Sequence, residues 1–234
     1  MVNSVDYEIK LNIGAAQIGK AMQVFGLSPT GGAERKIWFG EIRTGRDGRD
    51  ALPLLARGVI VRVRAKANSG DVTIKLRGPD GCLDVKAWSK HAESFTGKAK
   101  IEGDWADRRL VSASLESKFG EAGRAELDTD EPSVAKLLSS EQQQLAWELF
   151  VPFEQVQLLG PITARKWEPD GGIAAELWAV DELRFLEISV VADDDPETAQ
   201  RALEERARNG GLTLDRGQEP KTTRVLRHLA RRAG

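Results

Sequence analysis

Residues 58–77 read Gly58-Val59-Ile60-Val61-Arg62-Val63-Arg64-Ala65-Lys66-Ala67-Asn68-Ser69-Gly70-Asp71-Val72-Thr73-Ile74-Lys75-Leu76-Arg77. Two runs in this stretch alternate with the period of a β-strand, so successive side chains point to opposite faces. Val61 and Val63 share one face while Arg62 and Arg64 share the other; Ile74 and Leu76 likewise oppose Lys75 and Arg77. Asn68-Ser69-Gly70-Asp71 between them is a turn signal. The expectation is a hairpin of strands Val59–Ala67 and Val72–Arg77 with an even loop centred on Ser69–Gly70. That register sets Arg62 opposite Arg77, Arg64 opposite Lys75 and Val63 opposite Leu76, whereas an odd loop would set charges against apolar side chains. Like charges directly opposite destabilise a sheet by about 0.2–1 kcal/mol per pair. A face carrying four cations therefore needs open water or an anion.

The same alternation recurs along the chain, in Val5–Leu11, Ile37–Ile42, Lys98–Trp105, Leu110–Leu115, Ile162–Trp167, Ala174–Trp178 and Arg184–Val191. Asp6, Glu8 and Lys10 oppose Tyr7, Ile9 and Leu11. Lys98, Lys100, Glu102 and Asp104 share a face, and Glu187 and Ser189 oppose Leu186, Ile188 and Val190. Helices are expected over Ala15–Phe25, Glu141–Phe150, Pro196–Arg208 and Thr222–Arg232. Ser139 with Gln142 forms a capping-box pattern, and Asp195 precedes Pro196 at a helix start. Strands and helices mix without a βαβ rhythm, which indicates an α+β fold with a mainly antiparallel sheet. If the apolar faces pack on the helices, a sheet curving closed would enclose a channel lined by both signs. Its cations would hold a polyanion, and its carboxylates a divalent metal bridging phosphate oxygens.

The composition narrows the chemistry. Thirty-four basic and 36 acidic side chains give a net charge of −2, which argues against a nucleic-acid partner held by bulk positive charge. One cysteine, Cys82, excludes an intramolecular disulfide, and with His91 and His228 it cannot build a four-ligand zinc site. Any metal should be hard and oxygen-bound. No apolar run is long enough to span a membrane, and Met1–Lys10 shows no leader pattern, so the expected compartment is the cytoplasm. Six tryptophans are scattered without a stacking ladder, so packing is their expected role.

These residues resemble the CYTH superfamily, the triphosphate tunnel metalloenzymes that include class IV adenylate cyclases and thiamine triphosphatases. Asp6-Tyr7-Glu8-Ile9-Lys10 is similar to that family's Glu-x-Glu-x-Lys signature. Arg62-Val63-Arg64 and Lys75-Leu76-Arg77 look like its paired basic strands, and Glu176 and Glu187 like its C-terminal acidic strands. Gln218-Glu219-Pro220-Lys221 resembles its closing lysine motif, and the stretch from Ser139 to Ile162 resembles a bacterial branch. The resemblance spans nearly the whole chain and implies one CYTH-like domain over 1–234. The fold it implies is a closed antiparallel eight-stranded β-barrel, a tunnel, with helices packed outside.

The resemblance also implies Mg²⁺ or Mn²⁺ held by Asp6, Glu8, Glu176 and Glu187. Phosphates would be bound by Lys10, Arg62, Arg64, Lys75, Arg77, Arg165 and Lys221, with Glu8 and Lys10 as the catalytic pair. The expected function is metal-dependent hydrolysis of inorganic or organic triphosphate. Alternatives are a class IV-type adenylate cyclase and a non-catalytic binder of polyphosphate or nucleotide. The expected partner is a triphosphate-containing small molecule or polyphosphate, with no nucleic acid or membrane, and a homodimer is allowed. Two departures favour the binder: Asp6 is one methylene shorter than Glu, and Ser189 stands where many members carry a second acid. Glu102 and Asp104 are expected as ion-pair partners of Lys98 and Lys100.

Overall fold

The computed structural model describes residues 6–42, 52–77, 88, 95, 98–105, 109–169, 171–192, 194–214 and 220–232. Cys82, His91 and the Gln218-Glu219 part of the closing motif lie outside the described residues. The strands are β1 (Asp6–Ile13), β2 (Ala33–Ile42), β3 (Val59–Ala65), β4 (Gly70–Arg77), β5 (Lys98–Trp105), β6 (Arg109–Phe119), β7 (Val156–Trp167), β8 (Ile173–Val180) and β9 (Leu183–Ala192). They close into a barrel in the order β1-β5-β6-β4-β3-β2-β7-β8-β9. The barrel thus has nine described strands rather than eight. It is antiparallel except for β1 beside β5, which run parallel.

The hairpin that opened the sequence reading keeps its parity but shifts its register by four residues. Arg62 pairs with Thr73, Val63 with Val72, and Arg64 with Asp71. The loop is Lys66 to Ser69, closed by the Lys66 amide donating to the Ser69 carbonyl at 2.8 Å. Gly70 belongs to the ladder, where a Cβ would sit 2.2 Å from the Arg64 carbonyl oxygen. The expected register would have set two cation pairs face to face. In the observed one Arg64 bonds to the Asp71 carboxylate and Arg62 is level with uncharged Thr73, which removes the cation-against-cation pairing.

The helices are α1 (Ile18–Val24), α2 (Pro53–Ala56), α3 (Glu121–Glu126), α4 (Ser140–Glu148), α5 (Pro196–Asn209) and α6 (Lys221–Arg232). The capping box forms at Ser139 and Gln142, and the Asp195 carboxylate accepts from the Thr198 amide at 2.9 Å. Two apolar layers cover the barrel's outer surface. One gathers Val61, Val63, Ile74 and Leu115 beneath Leu145 and Ala146 of α4. The other gathers Ile9, Leu11, Leu186 and Ile188 beneath Phe25 and, from α5, Leu203 and Ala207. Helix α6 behaves differently. Its Val225, Leu226 and Leu229 pack with Phe39, Trp178 and Phe185, side chains that share strand parity with the ionic, inward-facing residues. This helix therefore covers one end of the barrel with its apolar face.

Buried polar groups tie these layers together. Gln142 donates to the Val72 and Leu115 carbonyls at 2.9 and 3.0 Å and accepts from the Ser117 hydroxyl at 2.6 Å, fastening α4 to β4 and β6. Glu41 accepts the Ile42, Leu54 and Leu55 amides at 2.9, 2.8 and 3.1 Å, anchoring α2 to the end of β2. Burial pushes the Glu41 carboxyl up despite these three bonds. Among the described residues, no helix is long and apolar enough to cross a membrane.

Candidate functional site

The inward faces of the strands enclose a cavity of about 930 Å³. Among the described residues, ten cationic and seven carboxylate side chains line it, a local surplus of three positive charges in a chain of net charge −2. Asp6, Glu8, Lys10, Arg62, Arg64, Lys75, Arg77, Glu176, Glu187 and Lys221 all lie on this lining. Arg165 does not. It sits on the outward side of β7, bonded to Glu34 at 3.1 Å and to the Pro29 carbonyl. Its neighbour Lys166 lines the cavity instead, because adjacent strand residues face opposite ways.

The observed register spreads the four basic residues of β3 and β4 along the barrel. Arg64 is level with Asp71, Arg62 with Thr73, and Lys75 with Ile60, while the Arg77 amide donates to the Gly58 carbonyl. Six residues of strand therefore separate the rungs of Arg64 and Arg77, about 20 Å at the usual rise. The cations form a row down the wall rather than two facing pairs. Arg64 is held by Asp71 at 2.7 Å and by Glu116 at 3.0 Å.

Asp104, on β5 one strand removed from β4, organises the neighbouring stretch of wall. The parallel pairing of β1 with β5 sets Asp6 beside Glu102 and Glu8 beside Asp104, four carboxylates on two rungs. Lys10 bridges Glu8, at 2.9 Å, and Asp104. Lys75 and Arg77 reach the same Asp104 carboxylate at 2.8 and 3.0 Å. Burial opposes ionisation of Asp104, but Lys10, Lys75 and Arg77 outweigh it and hold the carboxyl well below its usual range. Burial also works against the Lys10 ammonium, yet Asp104, Glu187 and Glu8 raise its pKa, so it keeps its proton at neutral pH. For Glu8 burial is again outweighed, chiefly by Lys10, and its carboxyl is lowered. Asp104 is thus not a partner of Lys98 or Lys100. Glu102 does meet Lys100, at 3.4 Å, and also Lys75, at 3.6 Å.

The other acidic pair lies further along. Glu176 and Glu187 face each other across β8 and β9, and Glu187 is level with Asn12 of β1, four residues from Glu8. Lys221, at the start of α6, meets Glu187 at 2.8 Å and Glu176 at 3.3 Å and lies 4.2 Å from the centre of the Trp178 ring. Burial disfavours the Glu176 charge, but Lys221, Arg62 and Arg35 lower its pKa to about 2. The four expected metal ligands thus fall in two places, Asp6 with Glu8 and Glu176 with Glu187. Ser189 is level with Lys10.

Several lining residues escaped the sequence reading. Glu116 lies one residue beyond the expected end of its strand. Arg35 precedes the expected start of β2, where Glu34-Arg35-Lys36 is charged throughout and shows no alternation. His228 meets Asp181 at 2.6 Å on the surface, near Glu182, away from the tunnel.

No family model and no curated protein sequence matches the chain. Solved structures do. A candidate adenylate cyclase of Bacillus halodurans superposes with a TM-score of 0.61 over 96% of this chain and 98% of its own, at 13% identity. A candidate adenylyl cyclase of Hippeastrum, in which triphosphatase activity is dominant, superposes with a TM-score of 0.59 over 94% of each chain, at 15% identity. The protein shares the fold of these two structures. Within this barrel, the inward parity of nine described strands concentrates the charge that the composition hides.

Proposed function

We propose that this CYTH protein is a metal-dependent phosphohydrolase acting on inorganic triphosphate or an organic triphosphate held in the tunnel. The observation that carries this reading is the row of Arg64, Arg62, Lys75 and Arg77 facing a wall of buried carboxylates. Guanidinium groups match phosphate oxygens with paired donors. Charge developing on those oxygens during transfer would be stabilised by the same groups without reorganisation.

The donor set suits a hard cation. Glu8 and Asp104, with Asp6 and Glu102 one rung away, offer only oxygen ligands, the preference of Mg²⁺ and Mn²⁺. These residues would hold the metal, which when bound supplies Lewis-acid polarisation of a phosphoryl oxygen. The chain's own groups divide the remaining work. Lys10, kept protonated, adds positive charge beside the phosphates and does not serve as a base. Glu8, ionised at neutral pH and the more open of the pair it forms with Asp104, would accept a hydrogen bond from an attacking water. Lys221 fixes Glu176 and Glu187 and carries the start of α6 to the rim.

The test is phosphate release from tripolyphosphate, thiamine triphosphate and nucleoside triphosphates with Mg²⁺ or Mn²⁺. Turnover that Glu8→Gln abolishes while binding persists supports hydrolysis. No turnover above background on any of them sinks it, and cyclic AMP formed from ATP would move the reading to a cyclase. One observation favours the binder as the second reading. In the tunnel Glu8, Glu102, Asp104, Glu116, Glu176 and Glu187 each already meet a lysine or arginine. Tripolyphosphate affinity indifferent to EDTA, without hydrolysis, would establish that reading.

A further inference from the structure

Most tunnel cations are already answered. Asp104 takes Lys10, Lys75 and Arg77; Asp71 and Glu116 take Arg64; Glu168, outside the lining, takes Lys166. Two arginines differ. Arg35 and Arg62 form no ion pair among the described residues, and their Nε atoms, like that of Arg77, are buried without a hydrogen-bond partner. The hydroxyl of Thr73, on the rung of Arg62, is buried and unpartnered as well. All three side chains line the cavity. The carboxylate close enough to feel both arginines is Glu176, and it is already bonded to Lys221.

A buried N–H or O–H donor without an acceptor is unfavourable, because its hydration is lost and nothing replaces it. These orphaned donors on β2, β3 and β4, with the Arg77 Nε beside them, therefore mark a place for an oxyanion. Guanidinium forks and a hydroxyl suit tetrahedral phosphoryl oxygens, each of which accepts several donors.

We propose that Arg35, with Thr73 beside Arg62, forms an anion subsite on the β2–β3–β4 side that binds one phosphoryl group of the substrate without a metal. This rests on the reading of the tunnel as a triphosphate site and adds Arg35 and Thr73 to its contacts. Asp104 holds Lys10, Lys75 and Arg77 but neither Arg35 nor Arg62, so the affinity of this subsite is set by protein donors alone. Arg35 lies near the start of β2, level with Ala164 and four residues before Phe39, which is level with Arg62. It therefore decides whether the end of the phosphate chain is gripped there.

The test is calorimetric titration of the full chain with inorganic tripolyphosphate in EDTA, for the native protein and for Arg35→Gln, Arg35→Lys and Thr73→Val. Arg35→Gln should weaken binding by about tenfold or more, the scale of a lost charge-assisted hydrogen bond. Lysine, lacking the fork, should restore it only in part, and Thr73→Val should weaken it by a smaller factor. Thermal melts supply a second readout. Without ligand, Arg35→Gln should melt at or above the native temperature, since an uncompensated charge is removed. With tripolyphosphate its gain in melting temperature should be smaller. Unchanged affinity of Arg35→Gln, or a lowered melting temperature without ligand, overturns the proposal. Absence of hydrolysis with Mg²⁺ would instead sink the triphosphatase reading and leave this titration standing.

Discussion

Asp104→Asn tests the electrostatic logic of the tunnel directly. The native carboxylate is 7% exposed and meets three cations, Lys10, Lys75 at 2.8 Å and Arg77 at 3.0 Å. Each such contact is worth about 5 kcal/mol in gross Coulomb energy at an effective dielectric of 20. Burying the carboxylate and its partners offsets most of that gain. What a substitution reveals is the penalty of leaving buried charges without their counterion, about 3–5 kcal/mol. Asparagine keeps one oxygen for Lys75 or Arg77 but turns an amide donor toward another cation. The expected loss is about 3 kcal/mol at pH 7 in urea unfolding with EDTA present, with an unchanged m-value. The pH dependence has a definite sign. Asp104 has its folded pKa lowered, so its contribution is fully present above the unfolded value near 4 and fades as pH falls through the folded value. The gap between native protein and variant should therefore close in acid. A loss under about 1 kcal/mol at pH 7, small against the penalty of a broken buried pair, would refute the view of Asp104 as the hub. So would a gap that stays constant down to the acid limit.

Other substitutions separate binding from folding. Arg64→Ala should weaken tripolyphosphate affinity by about tenfold, and unchanged affinity in titration would count against the tunnel as the binding site. Arg165→Gln should leave both affinity and turnover at native values, since this residue bonds to Glu34 outside the barrel; a loss of affinity would contradict that placement. Gln142→Leu removes the bonds that fasten α4 to β4 and β6, so chemical unfolding should show a loss of about 2–3 kcal/mol. Glu41→Ala leaves the Ile42, Leu54 and Leu55 amides without their acceptor and should cost a similar amount by the same assay.

Much of the site was legible because β-structure has a period of two. Once Arg62, Arg64, Lys75 and Arg77 alternate with valine, isoleucine and leucine, their common face follows from local geometry alone. Arg165 marks the limit of that reasoning. Lying within the expected strand did not say which way it points, and its neighbour Lys166 is the one turned inward. Arg35 was hidden for the opposite reason: three charged residues in a row carry no alternation to read.

Register exposes a subtler limit. Parity admits several pairings of Val59–Ala65 with Gly70–Arg77, and the turn signal at Asn68-Ser69-Gly70-Asp71 pointed to one with cation facing cation. The repulsion in that pairing was itself the clue against it. The structure moves by four residues, to where Arg64 finds Asp71 and Gly70 fits against the Arg64 carbonyl.

The sequence by itself determined which residues of each long strand share a face, where three of the helices begin, and that the chain's near-zero net charge is sorted rather than mixed. These properties depend on neighbours a few positions apart. Only the tertiary structure decided that β1 lies parallel to β5, which brings Lys10 to Asp104 across 94 positions. Closure of the barrel likewise left the Nε atoms of Arg35 and Arg62 without an acceptor among the described residues while Asp104 took three cations. Such pairings are set by strand order and shear around a closed sheet, and no local pattern in the sequence encodes them.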